Sequence, residues 1–443
     1  MKNIVVFGAG RSSTALIEYL AACAGRADWH ITIADRIMAP GLDKLKESGR
    51  VTLAAFDLDH DRQRNDLTRE ADVVISMLPP AMHSVIAKTC LAYGKHFLTA
   101  SYVSDEIMAM DAAAKEKGLL FLMEAGLDPG IDHMSAMKEI NAIRGRGDKL
   151  VSFRSYTGGL VAPESDDNPW HYKISWNPRN VILAGQGAAA WLENGKMKRI
   201  PYHRLFERTT EVEVEGHGTF EGYMNRDSPR YLRLYGLDNV ETFIRGTLRK
   251  APFCRAWNCF VRLGMTSDDY VLERSEELTW ADFTEAFLPE GGGSLRQRFM
   301  DCLGLRGGDE VMKLMEDSGI FSDRRAGLPS ATPAMLLQKL FEEVWQMKPG
   351  DRDMIVMQHQ FGARTEEGTY TKYASLVVRG DERHSAMSRT VGLPLGIACR
   401  LLLEGKLSLR GVRIPVAGEL YDPILRELET LGIHFAERTE SGG

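Results

Sequence analysis

The chain carries no strong charge of one sign. Its 55 lysines and arginines stand against 61 aspartates and glutamates, a formal net charge of −6. That balance gives no electrostatic reason to expect nucleic acid as a partner. Long apolar runs are missing too: none approaches the ~20 residues of a membrane span. The apolar opening, Lys2 to Phe7, is far too short for a secretory core. No membrane partner is expected. Cysteine is sparse and scattered (Cys23, Cys90, Cys254, Cys259, Cys302, Cys399), without a C-x-x-C pair or metal-ligand spacing. This pattern predicts reduced thiols in a cytoplasmic setting and no metal. Repeats and low-complexity tracts are absent as well. What remains is an ordinary globular composition, 44% hydrophobic and 26% charged over 443 residues. That length is enough for roughly two or three domains.

The first third has the rhythm of an α/β protein. Asn3-Ile4-Val5-Val6-Phe7 reads as a buried parallel strand, and Gly8-Ala9-Gly10-Arg11-Ser12-Ser13 follows at once, before a helix through Ala15, Leu16, Tyr19 and Leu20. A strand, a G-x-G-x-x-small turn and a helix make a dinucleotide site. The first glycine allows the tight turn, the second lets backbone approach a pyrophosphate, and the helix start offers oriented N–H groups. A second strand ends in Asp35-Arg36. An acid here hydrogen-bonds ribose hydroxyls and favours NAD, whereas Arg36 beside it could grip a 2′-phosphate, so NADP is not excluded. Asp57 closes the third strand near the expected adenine. Leu78 and Pro79 close the fourth and Ser101-Tyr102 the fifth, at the edge where ligands of such sheets bind. Helical patterns lie between the strands, which predicts a variant Rossmann, doubly wound sheet.

A sixth strand, Leu119 to Met123, leads into Gly126-Leu127-Asp128-Pro129-Gly130-Ile131-Asp132-His133. Pro129 and Gly130 make this a strand-to-helix turn, which brings Asp128, Asp132 and His133 together. The competing reading is a helix cap, with Asp128 or Asp132 accepting free N–H groups. His133 belongs inside the helix start rather than in the chemistry.

The texture changes at Leu150. A strand, Val151 to Thr157, precedes a polar connection to Pro169 and then Trp170, Tyr172, Lys173 and Trp176. Such a long connection is functional or disordered. The aromatics interleaved with Asn168 and Lys173 suggest an ordered binding wall, or else a dimer contact. Arg226 follows a hairpin. Arg245 and Arg249 share one face of a strand that also carries Thr247, because alternate residues point the same way. Guanidinium groups grip carboxylates bidentately, so these arginines and the Lys173 ammonium suit a small substrate with several carboxylates. Residues 252–347 are helical in pattern, and strand alternation returns at 353–359 and 370–378. The tail, with a helix from Ser385 through Leu403 and another over 423–431, is expected to rejoin the cofactor domain.

Together these motifs resemble the saccharopine dehydrogenase family, of the glutamate-forming kind. The likeness rests on Gly126 to His133, Ser155-Tyr156-Thr157-Gly158-Gly159-Leu160, Asn168-Pro169, Tyr172-Lys173-Ile174-Ser175-Trp176, Asn225-Arg226-Asp227-Ser228, Ile244-Arg245-Gly246-Thr247-Leu248-Arg249, and Ala386 to Pro394. The matches run in order along the whole chain. The resemblance implies oxidation of saccharopine by NAD(P)+ and water to L-glutamate and 2-aminoadipate 6-semialdehyde. It also implies a homodimer of three-domain subunits. On this reading residues 1–125 and about 392–443 bind the dinucleotide, about 126–251 and 352–391 form a substrate-binding and dimerisation α/β domain, and about 252–351 a helical subdomain. Asp128 and Tyr102 are the candidates for proton relay; Ser101, Tyr102, Asp128, Asn168, Lys173, Arg226, Arg245 and Thr247 are those for substrate. Gly8 to Ser13, Asp35, Arg36, Asp57, Leu78, Pro79 and Ser101 are the cofactor candidates. Thr157 stands where the family usually has cysteine, so a thiol cannot be required here. A carboxynorspermidine-type amine dehydrogenase and a non-enzymatic nucleotide sensor are the alternatives.

Overall fold

A seven-stranded, all-parallel sheet organises the first of two compact units. The computed structural model describes residues 1–38, 41–184, 186–224 and 227–442. Unit one comprises Met1–Lys149 and Leu376–Ala436; unit two comprises Leu150–Ser375 and Glu437–Gly443.

In unit one the strands are β1 (Lys2–Phe7), β2 (Trp29–Asp35), β3 (Val51–Ala55), β4 (Val73–Ser76), β5 (His96–Thr99) and β6 (Leu120–Leu122). Their spatial order is β6-β5-β4-β1-β2-β3, and a late strand, Gly411–Arg413, lies outside β6. The central strands read as unbroken Val, Ile and Phe because both faces are covered by helices. Phe7 packs on Phe56 at 4.6 Å and Phe97 on Phe121 at 5.6 Å between ring centres. Each such side chain, fully buried, adds about 1.5–3 kcal/mol to the driving force for folding. Because every strand runs the same way, all carboxyl ends share one edge.

Helix α1 (Thr14–Ala24) follows β1 and packs along the C-terminal helix Ala386–Leu403. Two glycines permit the approach: a Cβ on Gly392 would lie 2.9 Å from Leu16 N, and one on Gly396 would lie 2.8 Å from Tyr19 Cδ1. Ser388 Oγ accepts the Ala15 N–H at 2.9 Å, so the far end of the chain caps α1. Tyr19 and Arg400 both bind Glu427 of the helix Gly418–Thr430, which locks the three helices. Among the described residues, Ala386–Leu403 is the one helix long and apolar enough to cross a membrane, and it is mostly buried in this packing.

Unit two is built on a mixed nine-stranded sheet. Strand β7 (Lys149–Val161) lies beside Thr242–Arg249 in parallel register, with Arg245 opposite Ser155 and Thr247 opposite Thr157. The hairpin Thr209–Val214/Gly218–Met224 extends one side, and Asp353–Arg364, Thr369–Arg379 and Phe435–Gly442 extend the other. The helical stretch expected over 252–347 is present as five helices between Phe253 and Val344. It belongs to this unit.

Candidate active site

The Gly8 turn has no tolerance for a side chain. Gly8 adopts φ +103°, and a Cβ there would lie 2.8 Å from the Met77 carbonyl carbon. That conformation belongs to glycine. The Met77 N–H in turn donates to Phe7 O at 2.7 Å, so the ends of β1 and β4 are clamped together. Nothing lies within 4 Å of where a Cβ on Gly10 would project, which leaves the outer side of the turn open to a ligand. Arg11 is exposed and Ser12 half-buried, while Ser13 is buried and donates its hydroxyl to Gly10 O at 2.8 Å. These residues fit a dinucleotide: a pyrophosphate would meet the open turn and the start of α1.

Asp35 points inward. One oxygen accepts the Ala9 N–H at 2.5 Å and the other the Ile37 N–H at 3.2 Å. Arg36 is exposed and bound to Asp57 at 2.9 Å. The Asp59 N–H, with Arg36 second, holds the Asp57 carboxyl below its ordinary range. Leu78 is half-buried and Pro79 exposed, just past β4.

At the same edge, past β5 and β6, two acid–phenol partners meet. The Tyr102 hydroxyl donates to Asp128 Oδ1 at 2.9 Å. Gly130 adopts φ +145°, and a Cβ on it would lie 2.0 Å from Gly126 O. Only glycine closes this turn. Asp132, in the first turn of the helix that follows, accepts the Gly130 N–H at 2.6 Å through Oδ1. His133 is fully buried in the helix Ile131–Gly145, its Nε2 2.8 Å from Glu124 Oε2.

Glu124 was not singled out in the sequence. It is fully buried, sits at φ +57°, and accepts the Val103 N–H at 3.0 Å. Its one signal was an acid directly after an apolar strand. His83 was missed as well; it binds Ser101 Oγ through Nε2 at 2.7 Å.

In unit two the expectations fare differently. Arg245 is buried with its guanidinium 4.4 Å from the Tyr231 ring centre, and its backbone N–H donates to Ser228 Oγ. Thr247 is half-buried on the same face, paired in register with Thr157 and Tyr223. Arg249 is buried between Tyr172 and Phe253, at 4.9 and 5.2 Å from their ring centres. Arg226 lies outside the described residues.

Lys173 requires a correction. Its side chain is 2% exposed, and its ammonium already binds Asp351 at 2.6 Å and Asp167 at 2.7 Å. Burial pulls its pKa down, but the two carboxylates outweigh that and raise it. Asn168 is likewise spent on its own loop, donating to Tyr172 O and accepting from the Trp170 N–H. Nor do the aromatics form an open wall. Trp170 and Tyr172 are buried against Phe253 and Trp345, because large rings gain most by joining a core.

Comparison with known proteins fits this picture over the full length. A model of the saccharopine dehydrogenase NADP binding domain matches residues 4–122, and one of the saccharopine dehydrogenase C-terminal domain matches residues 126–433. The chain is 31% identical over 448 residues to the NADP(+), L-glutamate-forming saccharopine dehydrogenase of Schizosaccharomyces pombe, with 99% of each covered. It is 32% identical over 451 residues to the enzyme of the same name from Saccharomyces cerevisiae, again with 99% of each covered. The apo structure of the L-Glu-forming saccharopine dehydrogenase from Saccharomyces cerevisiae superposes with a TM-score of 0.87 at 31% identity. That match covers 99% of this chain and 100% of the other.

Proposed function

The chain belongs to the saccharopine dehydrogenase family, and from that premise we propose how its residues carry out the family's reaction. It is an oxidoreductase of lysine metabolism that acts on the secondary amine of saccharopine. Oxidation gives an imine, which water splits into L-glutamate and 2-aminoadipate 6-semialdehyde. The observation that carries the reading is the shared carboxyl edge of the first sheet. The Gly8–Gly10 turn, Asp35, Ser101 and the Tyr102–Asp128 hydrogen bond all lie at or just past the ends of parallel strands there.

When bound, the nicotinamide supplies the hydride acceptor. The amine must give up its proton before that transfer, and the carbinolamine formed by water must exchange protons before it collapses. We assign these proton movements to Asp128, with Tyr102 holding its carboxylate through the 2.9 Å hydrogen bond. A positioned group of this kind typically contributes about 10²–10⁴-fold. Ser101 orients the ligand. Arg226 and Arg245 take substrate carboxylates; at a buried position such as that of Arg245, a guanidinium pairs with a carboxylate more strongly than at a wet surface. Lys173 has no part in this, since its charge is already met.

For the dinucleotide we propose NADP as the preferred form, in place of the NAD expected from Asp35 alone. Asp35 is drawn toward the Ala9 and Ile37 N–H groups. Arg36, exposed beside it, can exchange the Asp57 carboxylate for the more highly charged 2′-phosphate. The two relatives carry NADP(+) in their names.

The test is to incubate the purified chain with saccharopine and either nucleotide, following 340 nm absorbance and released glutamate. Saccharopine with NADP should give both signals in equal amounts. Turnover of carboxynorspermidine but not saccharopine, or no turnover at all, would overturn the assignment. Neither alternative function is favoured by the full-length relatives, which are saccharopine enzymes by name.

A further inference from the structure

Ser101 does not orient its own hydroxyl. His83 begins the helix His83–Tyr93, 2% exposed, and bridges two serines. Its Nδ1 lies 2.8 Å from Ser76 Oγ and its Nε2 2.7 Å from Ser101 Oγ. Ser76 ends β4 and is wholly buried, whereas Ser101 follows β5 and is partly exposed. Thr99 ties the two strand ends together: its hydroxyl donates to Ser76 O at 2.8 Å and accepts the Ser101 N–H at 3.3 Å.

We propose that His83 is a positioning residue that fixes the Ser101 hydroxyl as a hydrogen-bond donor toward the ligand. The count of protons decides which serine donates. A neutral imidazole has one N–H and one lone pair, so its two serine partners must play opposite roles. The buried Ser76 hydroxyl has no acceptor other than His83 Nδ1 among the described residues. Leaving its proton unmatched would cost a buried donor its hydrogen bond. Ser76 therefore donates to Nδ1, and the ring proton sits on Nε2 and donates to Ser101 Oγ. Ser101, now an acceptor from the ring, keeps its own proton for an oxygen outside the protein, such as a substrate carboxylate or the carboxamide of the nicotinamide. Burial alone pushes the His83 pKa down to about 4, so the ring remains neutral under working conditions. A charged ring would donate from both nitrogens, and the buried Ser76 hydroxyl would then lose the Nδ1 lone pair that takes its proton.

This inference rests on the reading that Ser101 touches the ligand, and the two can be separated. Three variants at His83 and one at Ser101 suffice, with unfolding temperature and circular dichroism confirming the fold. The terminal amide of His83→Gln reaches the place of Nε2 and can still donate to Ser101, whereas that of His83→Asn reaches only the place of Nδ1. His83→Asn and His83→Ala should lower kcat/KM for saccharopine about 10- to 100-fold, as expected for loss of one directed hydrogen bond to a charged group. His83→Gln should recover most of that loss. A raised KM for saccharopine with unchanged NADPH dissociation assigns the donated proton to a substrate carboxylate; weakened NADPH binding assigns it to the carboxamide. In a Ser101→Ala background, His83→Ala should cost nothing further. An unimpaired Ser101→Ala overturns the ligand contact itself. An impaired Ser101→Ala beside an unimpaired His83→Ala, or equal losses in His83→Gln and His83→Ala, overturns the positioning role.

Discussion

Replacing Lys173 with methionine keeps the volume of the side-chain stem and removes the charge that Asp167 and Asp351 share. The three side chains differ in exposure: 2% for Lys173, 13% for Asp351 and 45% for Asp167. Removing one partner of a buried pair typically costs about 3–5 kcal/mol, because the other charge is left buried. Asp167 can rehydrate and pair with Lys348, so its share is small. Asp351 keeps the Lys348 N–H, at 2.7 Å, which softens its loss. The expected cost is therefore at the lower end, about 3 kcal/mol. For a unit of this size, that lowers Tm by about 6–12 °C, to be read by thermal unfolding with Lys173→Met beside the parent chain. Combining it with Asp351→Asn should cost clearly less than the sum of the two single changes, because they share one contact. KM for saccharopine should shift less than about threefold, below the ~1.4 kcal/mol of a tenfold change. A Tm within 1–2 °C of the parent (roughly the effect of half a kcal/mol), together with a tenfold rise in that KM, would refute the reasoning and return Lys173 to the substrate.

The same pairs give an acid limb. Hydrogen bonds from Lys173 and then Lys348 hold the Asp167 carboxyl at about 2, below its ordinary 3.8. The stability this contributes is complete above the ordinary value and is lost as pH falls from about 4 through about 2; Lys173→Met should flatten that part of a Tm-against-pH curve. Asp128→Asn should lower kcat by about 10²–10⁴-fold with NADPH binding intact, and Tyr102→Phe should lower it less. A matching loss of NADPH affinity would make the pair a prop for the cofactor site instead. Arg36→Gln should raise KM for NADP about tenfold, a charge-assisted contact's worth, and leave NAD unchanged; an unaltered NADP KM removes Arg36 from the phosphate. Gly8→Ala should weaken NADPH binding more than tenfold and lower Tm, since its Cβ collides with the end of β4; normal titration of NADPH fluorescence would count against the turn as the pyrophosphate site.

Much of unit one could be read from its letters. The six strands fall within a residue or two of where β-branched runs and glycine turns put them, as with Asn3 to Phe7 for Lys2–Phe7. The Asp128 turn and its phenolic neighbour were legible because both follow strands of one parallel sheet. Unit two was harder. Its pattern revealed helices over 252–347 but not which aromatic rings they would cover. The alternation of Trp170, Tyr172 and Lys173 suits an open wall and a buried loop equally well, so the direction of those side chains was beyond local inspection. Glu124 and His83 failed to stand out for a related reason: a single acid or histidine after a strand or at a helix start carries no spacing signal.

Sequence alone determined the features that neighbouring residues impose on one another. The Gly8 turn, the parallel strands and the Pro129–Gly130 corner all follow from backbone sterics and from apolar runs that cannot stay in water. Tertiary structure decided which polar groups are spoken for. Lys173 meets Asp351 across 178 positions, Ser388 caps a helix 373 positions upstream, and His83 chooses the proton of Ser101 through a buried serine. Many lysines and aspartates in the chain are eligible partners, and only packing brings particular ones within 3 Å in a medium where an unmet charge is costly.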